Sequence, residues 1–520
     1  MKAHKTTMLL CGIFITATLH AQSSSTVTIG TKVDGSELTA TLYSLPQRVE
    51  TFSISNSGDY LCINFRETTK SGKYLKNKGE IGFYDLKSKK LLWKKPINYN
   101  TTAAYCLSNG ILLSTGGKTI LLDKEKGEKV WETKAYPVSI DDSLGLLLGY
   151  KSIKSNVLEA INLKDGTEQW KQKIPHQYGW SQILDIEHNK RLIIADDMHK
   201  LDLKTGELLT YPGKPGAIDT QSILLLSLAS VGGAMIGATM SGGTYYYNYV
   251  PTTSSNVITG LTSNILQKDS CYYWADKHQV SCLDTTLKAI WKTEFPDVKA
   301  SHSRLFMQDG KLYLLNYGFG FYGGGSGRKK YGRPFIACYD PKSGKQLFFN
   351  QLSVKKDMIE DALHTKDALY MLFDDGMAYQ ELQDSVVNIV PWNIKEHGKL
   401  QGMLPDTLYL SDPKEKTFSP LAFDGEYCLV YNDQGKIYEI NKELAISNEY
   451  PLNLIYSPCI RLKDYLCINS RNDYWFIHKL GMPVAHLNFD FRKGKVVDNK
   501  LLLLTGDNKL VFLDLDKAVQ

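Results

Sequence analysis

The chain has 520 residues, a net charge of +6 and 31 tyrosines, and 43% of its residues are hydrophobic. Its length exceeds what a single small core needs, and the modest charge gives no reason to expect a nucleic-acid partner. The aromatic residues lie in short runs with valine, isoleucine and leucine, a composition that favours β-strands over helices.

The first 21 residues have the features of an export signal. Two lysines precede an apolar stretch, Met8–Ala17, and a cleavage site is expected after Ala21. The sequence therefore predicts a signal peptide at 1–21. It also predicts a mature chain at 22–520 in the periplasm, at the cell surface or outside the cell.

A repeated pattern follows the signal: a strand closed by Asp or Asn, a glycine four residues later, and usually an aromatic residue four residues after that. It is clearest in Leu121–Trp131, Ala160–Trp170, Lys200–Thr210 and Ala337–Phe348. Asp or Asn can bond its own turn backbone, and glycine accepts a positive φ. The aromatic residue can then pack against a neighbouring unit.

The spacing of the repeat indicates the fold. Asp85, Asp123, Asn162 and Asp202 recur every 38 to 40 residues, which suits a four-stranded propeller blade. We therefore predict an all-β fold, a single β-propeller of about 8–10 four-stranded blades over 22–520. The last unit lacks a fourth strand, so we expect the N-terminal segment "STVTIG" or "LTATLYSL" to supply it and close the ring.

Three insertions interrupt the regular spacing. They are Arg66–Glu80, a long crossover segment at 213–260, and Gly318–Arg333. In a propeller, the loop between the second and third strands shares a rim with the crossover to the next blade. All three insertions should therefore decorate one face, and because loops on a rigid scaffold often carry function, we predict that this face is the working one.

The insertion at 213–260 contains an apolar run, Ile223–Met240, which is long enough to cross a bilayer. A single crossing there would place neighbouring blades of one ring on opposite sides of the membrane, so we do not expect an integral membrane protein. Small residues recur every four positions, among them Gly233 and Gly237, which predicts a Gly-rich helix over 222–242. It would pack on the propeller itself, on a second copy or on a protein partner.

Eight cysteines follow the signal, without a CxxC pair or zinc-ligand spacing, and most are expected to be buried thiols. Cys271 and Cys282 are placed symmetrically about a turn at Asp276–Lys277. This register makes them face each other on neighbouring strands, so we predict that the two side chains touch. A disulfide and a pair of buried thiols remain alternatives for them.

The run strand–Asp–x–Lys–x–Gly–x–x–x–Trp resembles the repeat of the quinoprotein-like (PQQ-like) β-propellers over roughly residues 80–350. The resemblance specifies fold better than function, because the family includes quinone-dependent dehydrogenases and non-catalytic scaffolds. Its dehydrogenases hold the quinone with a calcium ion, carboxylates and often a disulfide between adjacent cysteines. No adjacent cysteines or matching carboxylates occur here, so we expect the non-catalytic branch, without cofactor, metal site or catalytic residues.

The predicted function is that of an exported, non-catalytic scaffold that binds a protein or a cell-envelope component through the decorated face. Self-association through 222–242 is a further option. Two alternatives remain, a divergent quinoprotein-type oxidoreductase with its site in the central channel and a glycan- or envelope-binding surface protein. The candidate partner-binding residues are Lys73, Tyr74, Lys76, Gly233, Gly237, Tyr245, Tyr246, Tyr247, Tyr322, Arg328, Lys329, Lys330 and Arg333.

Overall fold

The structure is a computed structural model that describes residues 24–514, apart from 220–237, 240–244 and gaps of at most four residues. The expected signal peptide and most of the predicted Gly-rich helix lie outside these described residues. The α-helix of the described chain, α1, covers Ile394–His397, and a 3-10 turn covers Leu452–Leu454. None of the described helices has the length and apolar character needed to cross a membrane.

Strands and tight turns make up the first part of the chain. The N-terminal hairpin consists of β1 (Ser24–Lys32) and β2 (Glu37–Tyr43). Blades 1 and 2 comprise β3 (Val49–Ile54), β4 (Tyr60–Phe65), β5 (Lys78–Asp85), β6 (Lys90–Asn98), β7 (Ala103–Leu107), β8 (Gly110–Ser114), β9 (Thr119–Asp123) and β10 (Lys129–Thr133). Blades 3 and 4 comprise β11 (Tyr136–Asp141), β12 (Leu146–Tyr150), β13 (Val157–Asn162), β14 (Glu168–Lys173), β15 (Gln182–Glu187), β16 (Lys190–Ile194), β17 (Met198–Asp202) and β18 (Leu208–Tyr211).

The middle of the chain interleaves blades with inserted strands. The long crossover segment contains β19 (Ala217–Ile218), β20 (Ala238–Thr239), β21 (Tyr245–Asn248) and β22 (Val257–Thr259). Blade 5 comprises β23 (Leu266–Lys268), β24 (Cys271–Ala275), β25 (Gln279–Leu283) and β26 (Ala289–Glu294). Blade 6 and its inserted hairpin β29–β30 comprise β27 (Ser303–Gln308), β28 (Lys311–Asn316), β29 (Phe319–Tyr322), β30 (Arg328–Lys330), β31 (Phe335–Tyr339) and β32 (Gln346–Gln351).

Four further blades complete the chain. Blade 7 comprises β33 (Asp361–His364), β34 (Ala368–Leu372), β35 (Gly376–Glu381) and β36 (Val387–Pro391). Blade 8 and its inserted hairpin β38–β39 comprise β37 (Leu400–Met403), β38 (Tyr409–Asp412), β39 (Thr417–Pro420), β40 (Tyr427–Asn432), β41 (Lys436–Asn441) and β42 (Ile446–Pro451). Blade 9 and the first three strands of blade 10 comprise β43 (Ile455–Arg461), β44 (Tyr465–Ser470), β45 (Asp473–His478), β46 (Pro483–Leu487), β47 (Phe491–Val497), β48 (Lys500–Thr505) and β49 (Leu510–Asp514).

The blades form a ring because each antiparallel sheet buries its two faces against its neighbours. A separate hydrophobic cluster lies between each successive pair, for example between blades 5 and 6. The last cluster joins Leu502 and Leu504 of blade 10 to Val49 and Phe52 of blade 1. The predicted single all-β propeller is therefore confirmed, with ten blades in the described part of the chain.

The N-terminal hairpin closes the ring. Strand β2 pairs with β49, with Thr41 opposite Phe512, and so becomes the fourth strand of blade 10. This confirms the predicted role of the N-terminal segment. Strand β1 pairs with β2 and also with β46 of blade 9, where Gly30 lies opposite Leu487. The hairpin thus joins blades 9 and 10, and it covers edges that would otherwise be unpaired.

Two inserted hairpins extend the first strand of a blade, which is the strand nearest the central channel of a propeller. Strand β21 pairs with β11 of blade 3, with Ser139 opposite Tyr247, and β38 pairs with β43 of blade 9. Strand β20 at Ala238–Thr239 pairs with β21 and corrects the predicted helix at that point. A four-residue spacing of small residues suits a helix. At Ala238–Thr239, however, the backbone groups pair with β21 in a sheet.

The turn between the third and fourth strands shows why the repeat has its residue types. The Asp123 carboxylate accepts hydrogen bonds from the backbone N–H groups of Lys126, Gly127 and Glu128. In each well-kept repeat, a tryptophan from the preceding blade lies on the turn glycine and donates from Nε1 to a turn carbonyl. The four tryptophan–glycine pairs are Trp93–Gly127, Trp131–Gly166, Trp170–Gly206 and Trp291–Gly344.

Candidate functional site

The second and third insertions form one small sheet. Strand β19 pairs with β22, β22 pairs with β29, and β29 pairs with β30. In this order Ala217 lies opposite Ile258, and Ile258 lies opposite Tyr322. The two insertions therefore lie side by side in one sheet, and their place on a common working face stays a prediction. We call the four strands the rim sheet.

Ion pairs tie the rim sheet together and to blade 7. Lys329 Nζ lies 2.6 Å from an oxygen of Asp219, a residue only 3% exposed, and so joins the two insertions. Lys330 contacts Asp357 at 3.0 Å, and Arg328 contacts Glu360 at 3.0 Å.

These contacts shift the titration of two of the groups. The hydrogen bond to Asp357 raises the pKa of Lys330, and burial raises the pKa of Glu360 against the effect of Arg328. Three of the candidate partner-binding residues, Arg328, Lys329 and Lys330, thus have carboxylate partners within the chain.

Exposed apolar side chains accompany this sheet. Ile218 is 60% exposed and Tyr322 is 42% exposed, although both belong to strands of the rim sheet. The Lys329 ammonium lies 5.5 Å from the centre of the Tyr322 ring, a cation–π distance. Arg333, also predicted here, is exposed, and its backbone carbonyl accepts a hydrogen bond from Asn316 Nδ2. A rigid sheet that presents apolar side chains to solvent has the character of a contact surface.

The first insertion forms an ordered arm on blade 1. A bridge between Thr68 and Leu75 closes it, and Arg66 Nε donates to the carbonyl of Lys76 at 2.6 Å. At its tip Tyr74 is 65% exposed, with Lys73 Nζ 5.6 Å from its ring centre. Blade 1 lies across the ring from blades 5 and 6, so Lys73, Tyr74 and Lys76 are separate from the rim sheet.

The remaining predicted face residues are placed elsewhere or are not described. Gly233 and Gly237 lie outside the described residues. Tyr245, Tyr246 and Tyr247 belong to β21, which pairs along the inner strand of blade 3 and runs beside Asp141 at its far end. The backbone therefore carries these tyrosines down the channel side of the blade rather than onto the rim sheet.

A cavity of about 400 Å³ beside the rim sheet was not predicted from the sequence. Lys214, Asp276, His278 and Lys292 contribute to its lining. Next to it, Lys277 Nζ donates to the carbonyl of Gly216 at 2.9 Å, one residue before β19.

Positive charge accumulates around this lysine. Burial lowers the pKa of Lys277, and the charges of Lys299 and Lys214 act in the same direction. The rim therefore carries a group of lysines here. The sequence does not reveal this group, because Lys214 and Lys299 lie in two different crossovers and Lys277 lies in the turn between β24 and β25.

The predicted register of Cys271 and Cys282 is wrong by two residues. Tyr273, rather than Cys271, lies opposite Cys282. The turn is longer than predicted because the Asp276 carboxylate accepts from the N–H groups of His278 and Gln279.

The two cysteines nevertheless remain on one face of blade 5, and the structure draws no bond between them. Burial raises the pKa of Cys282 to about 12, and Cys271 contributes to the rise, which indicates that the two thiols interact. The disulfide between them stays a prediction.

The described residues include no candidate metal-binding cluster, that is, no group of three His, Cys, Asp or Glu side chains able to hold a metal ion.

Comparisons with known proteins give one family match. Residues 77–210 match the PQQ-repeat family model described as outer membrane protein assembly factor BamB. No curated protein matches the chain with significant similarity.

Several solved structures resemble the chain at low identity. BamB from Moraxella catarrhalis is 12% identical, with a TM-score of 0.30, over 95% of this chain and 99% of that chain. Apo AztD from Citrobacter koseri is 10% identical, with a TM-score of 0.28, over 76% of this chain and 94% of that chain. A europium-containing methanol dehydrogenase is 11% identical, with a TM-score of 0.29, over 74% and 84%. At these TM-scores the neighbours support no conclusion about function.

The matched segment begins one residue before β5 and ends within β18, so it spans the blades in which the tryptophan–glycine contacts are most regular. The same contact recurs between blades 5 and 6, outside the match. The repeat and the ring of sheets show that the chain is a β-propeller, and its residues 77–210 match the PQQ-like repeat family.

Proposed function

We propose that this protein is an exported propeller scaffold that binds a protein partner of the cell envelope through the face bearing the rim sheet. The observation that carries the proposal is the Asp219–Lys329 ion pair, which joins insertions 110 residues apart into one structure. A loop that had merely grown in length would have no reason to pair with a second distant loop. The side chains of Ile218 and Tyr322 are exposed on the rim sheet that this ion pair joins.

Two further observations support this proposal. The description of the matched family names an outer membrane assembly factor, which favours an envelope partner for this chain. The lysines at 214, 277 and 299 add positive charge beside the exposed apolar side chains. An apolar centre with a charged border is the usual arrangement of a protein–protein contact.

The test is affinity capture from the native envelope with the full chain as bait. The variants Ile218→Asp and Tyr322→Asp place a charge in the exposed surface without touching a blade core. We expect each to reduce the captured partner on the order of tenfold or more, because apolar anchors contribute most of the binding energy of such surfaces. Removing residues 213–260 should abolish capture.

The matched control is Leu480→Asp. Leu480 is 72% exposed and lies at a turn between third and fourth strands, on the opposite rim. The Leu480→Asp variant should capture as much partner as the unaltered chain. Equal capture by the Ile218, Tyr322 and Leu480 variants, all with unchanged melting temperatures, would contradict the proposal.

A further inference from the structure

Blade 9 contains a pair of cysteines that a β-bulge brings together. In the ladder between β43 and β44, Pro458 lies opposite Ile468, and Ile460 lies opposite Cys467. Cys459 is the extra residue between them, so Cys459 and Ile460 share Cys467 as their opposite residue. The Cys459 Sγ atom lies 3.0 Å from the backbone oxygen of Cys467.

The two thiols differ in their access to solvent. Cys459 is exposed, whereas Cys467 is fully buried in the cluster between blades 9 and 10. Strand β38 pairs with β43 only at Tyr456 and Ile455, in the first two residues of that strand. Cys459 therefore lies beyond the part of the β43 edge that β38 covers.

The two thiols also differ in how readily they ionise. The hydrogen bond with the Cys467 thiol lowers the pKa of Cys459, backbone N–H groups of Cys459 and Ile460 act in the same direction, and partial desolvation of the sulfur opposes them. The same contact, together with burial, raises the pKa of Cys467. The thiolate is the nucleophilic form, so the exposure of Cys459 and the direction of its pKa shift both favour Cys459 as the attacking thiol.

We propose that Cys459 and Cys467 form a thiol–disulfide exchange site, in which Cys459 attacks an external disulfide and Cys467 resolves the product. The geometry that carries this is the bulge, which places an exposed thiol against a buried one across a single strand pair. The ligand class is a disulfide, supplied by a small molecule or by an oxidised protein. The site is independent of the rim sheet and of its partner.

The chemistry balances in two steps. The Cys459 thiolate attacks one sulfur of the external disulfide, R–S–S–R′, forming a Cys459–S–S–R bond and releasing R′S⁻. The Cys467 thiol then gives its proton to water and attacks Cys459 Sγ, which forms the Cys459–Cys467 bond, breaks the Cys459–S–S–R bond and releases RS⁻; the two released thiolates take up protons from water. Two cysteine thiols are oxidised, and one external disulfide is reduced to two thiols.

The experiment uses the reduced, folded full chain with oxidised glutathione as the probe. Samples are quenched with acid, alkylated and mapped by mass spectrometry, so that each cysteine is scored separately. We expect an internal Cys459–Cys467 bridge, formed at least about tenfold faster than any product at the other described cysteines, because reactivity follows thiolate character and exposure. Cys271→Ala is the matched control and should leave this rate unchanged.

Variants separate the two roles. Cys467→Ala should stop at a glutathione adduct on Cys459, and Cys459→Ala should leave Cys467 unmodified. Because Cys467 is buried, the folding of the Cys467→Ala variant is checked by its melting temperature. The pH dependence of Cys459 alkylation in the unaltered chain gives a second readout. Its midpoint should lie below about 8.5, the value of an ordinary thiol.

Three outcomes would overturn the inference. They are no reaction at Cys459, a glutathione adduct in the unaltered chain that never converts to the bridge, and an alkylation midpoint at or above the ordinary value.

Discussion

At the scale of single residues, the tryptophan–glycine contact explains which residue the turn accepts. A Cβ on Gly166 would lie 2.9 Å from the Trp131 ring, which is closer than such atoms approach. In blades 1 and 5, whose preceding blades offer no tryptophan, the left-handed turn position holds a larger residue, Lys89 at φ 55° and Leu287 at φ 63°. At the four tryptophan–glycine pairs, the neighbour's aromatic ring, rather than φ alone, therefore requires the glycine.

Two glycines of blade 3 provide a test of this explanation. Gly166 has φ 76° beneath Trp131, whereas Gly145 has φ 65° with nothing near its Cβ position. Alanine at either site should cost about 1 kcal/mol for the left-handed backbone. Gly166→Ala should cost a further ~1–3 kcal/mol, because the methyl group displaces the indole. Denaturant unfolding measures both variants, and equal losses would show that the ring contact has no role.

At the scale of elements, regular strands were predictable and inserted ones were not. The N-terminal strand followed from simple counting, since the last blade has three strands in sequence and needs a fourth. The inserted hairpin β38–β39 lies in a segment without repeat spacing, so no periodicity marked it. The register of Cys271 failed because a side-chain bond from Asp276 lengthened the turn. The Cys459–Cys467 pair was missed because a bulge breaks the alternation that sequence reading relies on.

The rim sheet should depend on its buried ion pair. Lys329→Ala leaves the Asp219 carboxylate, 3% exposed, without its ammonium partner, and losing one partner of a buried pair is strongly destabilising. We expect amides of β22 and β29 to exchange hydrogen on the order of tenfold or more faster, while blade 1 is unchanged. Lys190→Ala, which breaks an exposed pair with Glu187, is the control. Unchanged exchange in the Lys329 variant would contradict this role.

At the scale of the whole molecule, the ring depends on one seam between its ends. Strand β2 completes blade 10, and leucines of β48 and β49 pack on Phe52 of blade 1. Lys493 of blade 10 also crosses the seam, since its Nζ donates to the Phe52 carbonyl at 2.6 Å and lies 4.9 Å from that ring centre. The Lys493 ammonium thus lies in the largely apolar contact between blades 10 and 1.

The seam should make stability depend on pH in the alkaline range. Burial, with the charge of Lys495 adding to it, lowers the pKa of Lys493 to about 8, whereas an unfolded lysine titrates near 10.4. Between those values the unfolded chain binds more protons than the folded chain, so this group makes stability rise with pH.

The variant Lys493→Met removes this contribution and should show a smaller rise, or a steeper fall, from about pH 8 to 10.4. Denaturation midpoints of both proteins across that range measure the difference. Comparing slopes rather than absolute midpoints is necessary, because methionine also leaves the Phe52 carbonyl without its donor. Parallel curves would mean that Lys493 keeps an ordinary pKa and that the seam is open to water.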